Sequence, residues 1–271
     1  MTFNAVRQFM AGVVLTPLVM KGLSKSNYLS KAHNKQAQLS YKRKKLLAGG
    51  FLCGLFMLIG TMSQQIGLLT VSAGKSGFIS SLYIVLVPIF GVVIGTKVKR
   101  KSIICVIIAA AGFAVMSLQG GLGKTTPGDW LTLISAAGFA AQILVINQFV
   151  DKDNAVILSQ LQFLVCGSVG IIIAVLAEGP TPAALIAGIP VLLYQTLVPT
   201  AGGYTLQIIG QRYADSTTAA LLMSTEAVFA AIFGALILKE AMSGRELIGA
   251  GIIFAAIIIA QIEIRSRKTE M

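Results

Sequence analysis

Charge is the first thing this sequence has little of. Only 12% of its 271 residues are Asp, Glu, Lys or Arg, and only 10 are acidic. A chain so poor in polar cover cannot hide its apolar side chains in one aqueous core, which excludes an ordinary soluble domain. Cysteine occurs 3 times, at Cys53, Cys105 and Cys166, always inside apolar stretches and never at a paired spacing. That excludes a disulfide framework, a zinc site and a redox pair, and leaves small packing residues. The single histidine, His33, stands in a polar stretch without a second histidine or clustered acids, so no metal is expected. Gly123-Lys124-Thr125 lacks the upstream glycine spacing of a phosphate loop, which disfavours ATP-driven work, and no cofactor is expected.

What is present in excess is hydrophobicity. Apolar residues make up 55% of the chain, and the mean hydropathy is +0.82. Lipid must therefore do the burying. The net charge of +12 would suit nucleic acid, but the basic residues sit in short runs between apolar spans and are not interleaved with stacking aromatics. Nucleic acid is excluded as a partner. Nine candidate spans follow one another: Phe3 to Met20, Leu46 to Leu69, Ser76 to Thr96, Ile103 to Leu118, Trp130 to Phe149, Val156 to Ala177, Leu185 to Ile208, Thr217 to Leu238 and Leu247 to Ile264. Each approaches the ~20 residues that cross a bilayer as a helix. An all-α polytopic membrane protein is expected.

The eighth span carries one acid, Glu226, close to its middle. A carboxylate at that depth costs roughly 2.5 to 3.5 kcal/mol on insertion scales, so it belongs on a bundle interior or a water-filled cavity and marks a functional site. The same stretch is echoed earlier. A shift of 143 positions lays Gly60 on Gly203, Gln64 on Gln207, Gly67 on Gly210, Ser81 on Ser224 and Ile89-Phe90-Gly91 on Ile232-Phe233-Gly234. Two homologous halves are the natural reading, with residues 1–123 as the first, 124–128 as linker and 129–271 as the second.

Lysine and arginine set the orientation. With Lys21 to Lys45 cytoplasmic, alternation puts Lys97, Lys99, Arg100, Lys101, Lys152, Arg212, Arg265, Arg267 and Lys268 on the same side. Only Lys75, Lys124, Lys239 and Arg245 then face out, the bias of the positive-inside rule. The carboxyl terminus is expected in the cytoplasm, and the run YKRKK from Tyr41 to Lys45 serves as a topology anchor at an anionic leaflet. The second half holds five spans against four in the first, so a first helix is expected to be missing. Two five-span halves are inverted with respect to each other, a build that supports alternating access in secondary transporters.

Particular residues carry a resemblance. Asn4-Ala5-Val6-Arg7, then Ser72 to Tyr83 (SAGKSGFISSLY), then Pro88-Ile89-Phe90-Gly91 are similar to the first half of an EamA-type member of the drug/metabolite transporter superfamily. Thr225 to Gly234, ending in Lys239-Glu240, resembles the matching part of the second half. The resemblance implies a ten-helix carrier of two inverted five-helix repeats, here in a 4+5 arrangement, that moves small metabolites across the cytoplasmic membrane, often outward. The sequence departs from the family in the absent first helix, in Ala227 where proline is common, and in the long basic segment from Lys21 to Lys45.

The candidate site residues follow from depth and type. Glu226 would bind a cationic group or carry a coupling proton, or serve as a structural acid bonded to a neighbouring Ser or Thr. Tyr83 is its repeat mate, and either lines the site or packs. Arg7, one turn into the first span, either holds a substrate carboxylate or snorkels to the interface. Gln64 and Gln207 hydrogen-bond substrate or tie helices together, and Ser81 and Ser224 complete the set. Gln160, Gln162, Tyr194 and Tyr204 are weaker candidates of the same kind. Pro88 breaks a backbone bond within its span and is a candidate hinge. Gly91 and Gly95, and Gly50 and Gly54, form GxxxG pairs that pack within the bundle or, less readily, make a homodimer.

The expected function is secondary active transport of a small polar metabolite such as an amino acid, with the lipid bilayer and a proton as further partners. Two other classes stay open. A non-transporting scaffold would show no metabolite binding sensitive to Glu226, and a membrane-embedded enzyme would need clustered His, Asp or Ser-Lys groups at one depth.

Overall fold

A computed structural model describes residues 1–25, 36–95, 100–117, 126–151, 154–179, 182–224, 226, 229, 233–234, 236–237, 239 and 243–267. His33, Gly120, Gly121, Gly123 and much of the stretch from Thr225 to Glu240 lie outside these. Among the described residues the chain is all helix, with no strand. Five helical stretches of these residues are long and apolar enough to cross a membrane: Thr2–Lys21, Arg43–Gly67, Ala73–Val93, Pro127–Phe149 and Ala155–Glu178. The other expected spans are shorter, interrupted, or run over undescribed residues. By contacts the chain divides into two compact units, Met1–Leu58 with Val145–Ala214, and Ile59–Leu144 with Asp215–Met271.

In the first unit, α1 (Thr2–Val14) and α2 (Thr16–Lys25) make up the first span. They part at Leu15, because Pro17 has no N–H to return to the preceding turn. α1 packs along α8 (Ala155–Glu178) through two glycines used reciprocally. A methyl group on Gly12 would run into Leu164, and one on Gly167 into the backbone of Phe9. The two contacts exchange under a shift of 155 residues, so α1 and α8 meet as symmetry mates do. In lipid, where apolar surface gives little drive to associate, such close backbone approach is what holds helices together.

Gly50 and Gly54 lie on α3 (Gln36–Gly67) and close against Leu161 and Val165 of α8. That GxxxG pair packs inside the bundle. The run from Tyr41 to Lys45 is part of α3 and not a loop, and Lys45 places its ammonium 5.8 Å from the ring centre of Phe149. Cys53 is buried beside Ile146, Leu158 and Ile208.

The expected span from Leu185 to Ile208 is built in pieces. α9 (Pro182–Ala187) and α10 (Ile189–Gln195) lead into a nine-residue π-helical segment, Thr196–Tyr204, and then α11 (Thr205–Gln211). Pro199 sits inside the widened segment, where its missing N–H removes one helical bond. The Thr200 hydroxyl donates to the Gln195 carbonyl at 2.7 Å, five residues back.

The second unit begins its α7 (Pro127–Phe149) with a reciprocal cap. The Thr126 N–H donates to Asp129 Oδ2 (3.0 Å) and the Asp129 N–H to Thr126 Oγ1 (3.2 Å), with Pro127 at the first helical position, where its lost donor costs nothing. Asp129 also receives Lys75, whose Nζ lies 2.9 Å from Oδ1. Gly60 and Gly67 of α3 fit against Phe139 and Thr132 of α7. α6 (Arg100–Ser117) packs on α13 (Gly244–Arg267), where Gly112 lies against the Gly249 carbonyl and Ile253. Ala109, Ala250, Ile253 and Ala256 form a core there with Phe78, Ile79 and Val85. Gly95, expected as half of a packing pair, is at φ +90 with nothing within 4 Å. It ends the helix that precedes it, a left-handed position that glycine takes without strain.

Candidate functional site

In the second unit two short helices are duplicates. α4 (Ala73–Ser80) is capped by Ser72, whose Oγ accepts from the Lys75 N–H at 3.3 Å. α12 (Ser216–Met223) is capped by Asp215, which accepts from the Thr218 N–H at 2.8 Å. Both run for 8 residues and both end on a serine of nearly the same conformation, Ser81 at φ −63, ψ −10 and Ser224 at φ −64, ψ −13. Cap, length and break all correspond under the shift of 143 found in the sequence. Each break comes about 12 Å into its span, near the middle of a ~30 Å hydrocarbon core. At the first of them the chain tightens without losing its bonds, the Ser81 N–H donating to the Gly77 carbonyl and the Leu82 N–H to that of Ile79.

Ser81 and Ser224 are buried, and the Ser81 hydroxyl donates to the Phe78 carbonyl at 2.7 Å. Just past the two breaks stand Tyr83 and Glu226, in opposite environments. Tyr83 is buried in a cluster with Val87, Ala140, Ile143 and Ala220, whereas Glu226 is exposed. Ala220 and Ser224 are buried, whereas Leu222, Glu226, Phe229 and Phe233 are exposed. The two phenylalanine rings stack with centroids 6.3 Å apart. A carboxylate facing hydrocarbon is unfavourable, so within a bilayer Glu226 needs water or a polar partner. Pro88 lies inside α5 (Tyr83–Val93), which stays helical through it; the discontinuity falls at Ser81–Leu82. Gln64 is half-buried on α3 in this unit.

Arg7, Gln207, Gln160, Gln162, Tyr194 and Tyr204 belong to the first unit. Arg7 is held by two amides. Its Nε donates to Asn4 Oδ1 and its Nη1 to Gln195 Oε1, both at 2.9 Å. Gln160 ties helices, donating to Thr16 Oγ1 at 2.9 Å and to the Gly12 carbonyl. Gln162 is fully buried, Tyr194 is exposed, and Tyr204 meets Phe163 edge to face. Gln207 keeps a buried amide nitrogen without a hydrogen-bond partner among the described residues.

Sequence reasoning passed over Asn4, Gln8, Gln195 and Thr196. Asn4 and Gln8 are one helical turn apart on α1. That i, i+4 spacing of amides in an apolar span was the available signal. It also passed over the pairing of Lys75 with Asp129, which Thr126-Pro127-Gly128-Asp129 announces as a helix start.

The sequence model of the EamA-like transporter family matches residues 1–118 and 126–261. A protein described as an uncharacterised transporter of Archaeoglobus fulgidus is 29% identical over 220 residues, which are 79% of this chain and 69% of that protein. A solved crystal structure superposes with a TM-score of 0.64 at 15% identity, covering 98% of this chain and 88% of the other.

Proposed function

Because this chain belongs to the EamA-like transporter family, we propose that it is a secondary active carrier that exports or exchanges small polar metabolites, amino acids among them, by alternating access. The observation that carries this reading is Glu226. It stands two residues past Ser224, where α12 ends, and is exposed where Ala220 and Ser224 are buried. A carboxylate in that position binds a cationic group or loads and releases a coupling proton on a water-accessible path.

Residues 1–123 and 129–271, joined by 124–128, act in this reading as inverted repeats. The matching caps and breaks of α4 and α12, and the reciprocal glycine contacts of α1 and α8, support that symmetry. Two half-bundles that can each take up the other's conformation would supply inward-open and outward-open states. The distribution of Lys and Arg supports a cytoplasmic-membrane location with the carboxyl terminus inside.

The test is counterflow of labelled amino acids into proteoliposomes, with and without a pH gradient, for the wild type and Glu226→Gln. Gradient-sensitive uptake that becomes insensitive in the variant supports a proton role. The same gradient dependence in both would remove Glu226 from the coupling step.

A further inference from the structure

We propose that α1 and the π-helical segment beside it form a carboxylate-binding subsite, in which Arg7 supplies the charge and Asn4, Gln8 and Thr196 supply hydrogen-bond donors. The inference rests on the carrier reading and narrows its substrates to molecules that bear a carboxylate.

Arg7 is a half-buried cation, and among the described residues no acid pairs with it. Two neutral amide oxygens, Asn4 Oδ1 and Gln195 Oε1, hold its Nε and Nη1. They fix the plane of the guanidinium and leave the rest of its fork for a ligand. An arginine held rigid in this way, at low cost in further side-chain ordering, is well suited to a two-oxygen anion.

The surroundings are polar and unsatisfied. Gln8 is 0% exposed, yet among the described residues neither its Nε2 nor its Oε1 has a hydrogen-bond partner. Asn4 is 1% exposed and Thr196 0% exposed, and among the described residues neither Asn4 Nδ2 nor the Thr196 hydroxyl has a partner. Buried polar groups are nearly always bonded, so these atoms are open to an occupant. Asn4 and Gln8 stack one turn apart on α1, and Thr196 follows Gln195, the residue that grips Arg7. Thr196 is also the first residue of the π-helical segment, and π geometry inside membrane or soluble helices recurs at functional sites.

The chemistry selects the ligand. Arg7, Asn4, Gln8 and Thr196 all offer donors, and Gln8 Oε1 is the acceptor left over. One cation with no second lysine or arginine on these elements suits a monoanion better than a phosphate dianion. A planar carboxylate matches the guanidinium fork, and Gln8 Oε1 can take an ammonium or hydroxyl on the neighbouring carbon. The Thr2 N–H and hydroxyl donate to Glu178 at the end of α8 (2.8 and 2.7 Å). That contact marks the membrane-surface end of α1, and Arg7 lies about 8 Å further in along the helix, within reach of a solute entering from that side.

The experiment uses the whole chain, purified in detergent, with three probes: an equimolar mixture of the twenty protein amino acids, the mixture of their carboxamides, and inorganic phosphate. Thermal unfolding is followed against probe concentration, and the same mixtures are used for counterflow in proteoliposomes. The amino acids should raise the unfolding midpoint at about tenfold lower concentration than the carboxamides, or less. Gln8→Met replaces an unsatisfied amide with an apolar side chain of equal length. It should unfold at the same or a higher temperature without probe, and lose the discrimination between acids and carboxamides.

Arg7→Lys, which keeps the charge but not the fork, should lose most of that discrimination as well. Equal responses to acids and carboxamides, a stronger response to phosphate, or a Gln8→Met protein that still discriminates would overturn the subsite. Counterflow of amines or carboxamides alone would also overturn it while leaving the carrier intact. Absence of counterflow for every mixture would instead count against the carrier reading, and the subsite with it.

Discussion

Alanine placed at Gly167, Gly12 and Gly210 should give three different outcomes. A Cβ on Gly167 would overlap the backbone of Phe9 in α1, one on Gly12 would overlap mainly the end of the Leu164 side chain, and one on Gly210 would meet nothing within 4 Å. Backbone cannot step aside without moving α1 off α8, whereas a leucine terminus can rotate. Overpacking costs about 1 to 3 kcal/mol, and alanine returns up to about 1 kcal/mol through helix propensity. Gly167→Ala should therefore lose roughly 1 to 2 kcal/mol and Gly12→Ala less than about 1. Gly210→Ala should be neutral or gain up to about 1 kcal/mol. Read as thermal unfolding in detergent at about 2 to 4 °C per kcal/mol, the three separate by several degrees. Because α1 carries Arg7, Gly167→Ala should also reduce transport beyond its loss of folded protein. Equal shifts for all three, or the largest loss at Gly210, would refute the close α1–α8 contact.

Other predictions concern the second unit. Lys75→Met leaves the buried Asp129 carboxylate without its cation and should cost about 3 to 5 kcal/mol, while Lys75→Met with Asp129→Leu should recover part of that loss; a double variant worse than the single would contradict the pairing. Ser72→Ala and Asp215→Ala each remove one helix cap and should cost about 1 kcal/mol. Asp215 should cost more, since it also accepts from the Thr218 hydroxyl at 3.0 Å, and a thermal unfolding comparison of the two variants checks the order. Glu226→Gln should fold with an unfolding midpoint close to that of the wild type, because the exposed carboxylate has no hydrogen bond or ion pair among the described residues to lose.

Much of this was legible in the residues. Hydropathy located the five long apolar helices, and the shift of 143 already paired Ser81 with Ser224 before their matching caps and backbone angles were visible. Breaks within spans were harder to read. Thr196–Tyr204 is as apolar as its neighbours, and only Pro199 with Gly202-Gly203 hints that the helix widens there. The α1–α8 pairing runs at a shift of 155, so a single offset across the halves hid the correspondence of Gly12 with Gly167. That YKRKK continues the helix α3 was not signalled by apolar periodicity, although Lys and Arg are good helix formers. The environment of Arg7 was out of reach for a different reason. Its partner Gln195 is 188 positions away, and no local pattern announces a contact of that range.

Counterflow across a bilayer is the measurement that bears most directly on a carrier. Proteoliposomes preloaded with unlabelled amino acids should accumulate the labelled mixture faster than protein-free vesicles, with uptake that responds to a pH gradient in the wild type and not in Glu226→Gln. Uptake no faster than in protein-free vesicles, for amino acids and for every other small polar solute tried, would contradict the carrier and favour a scaffold.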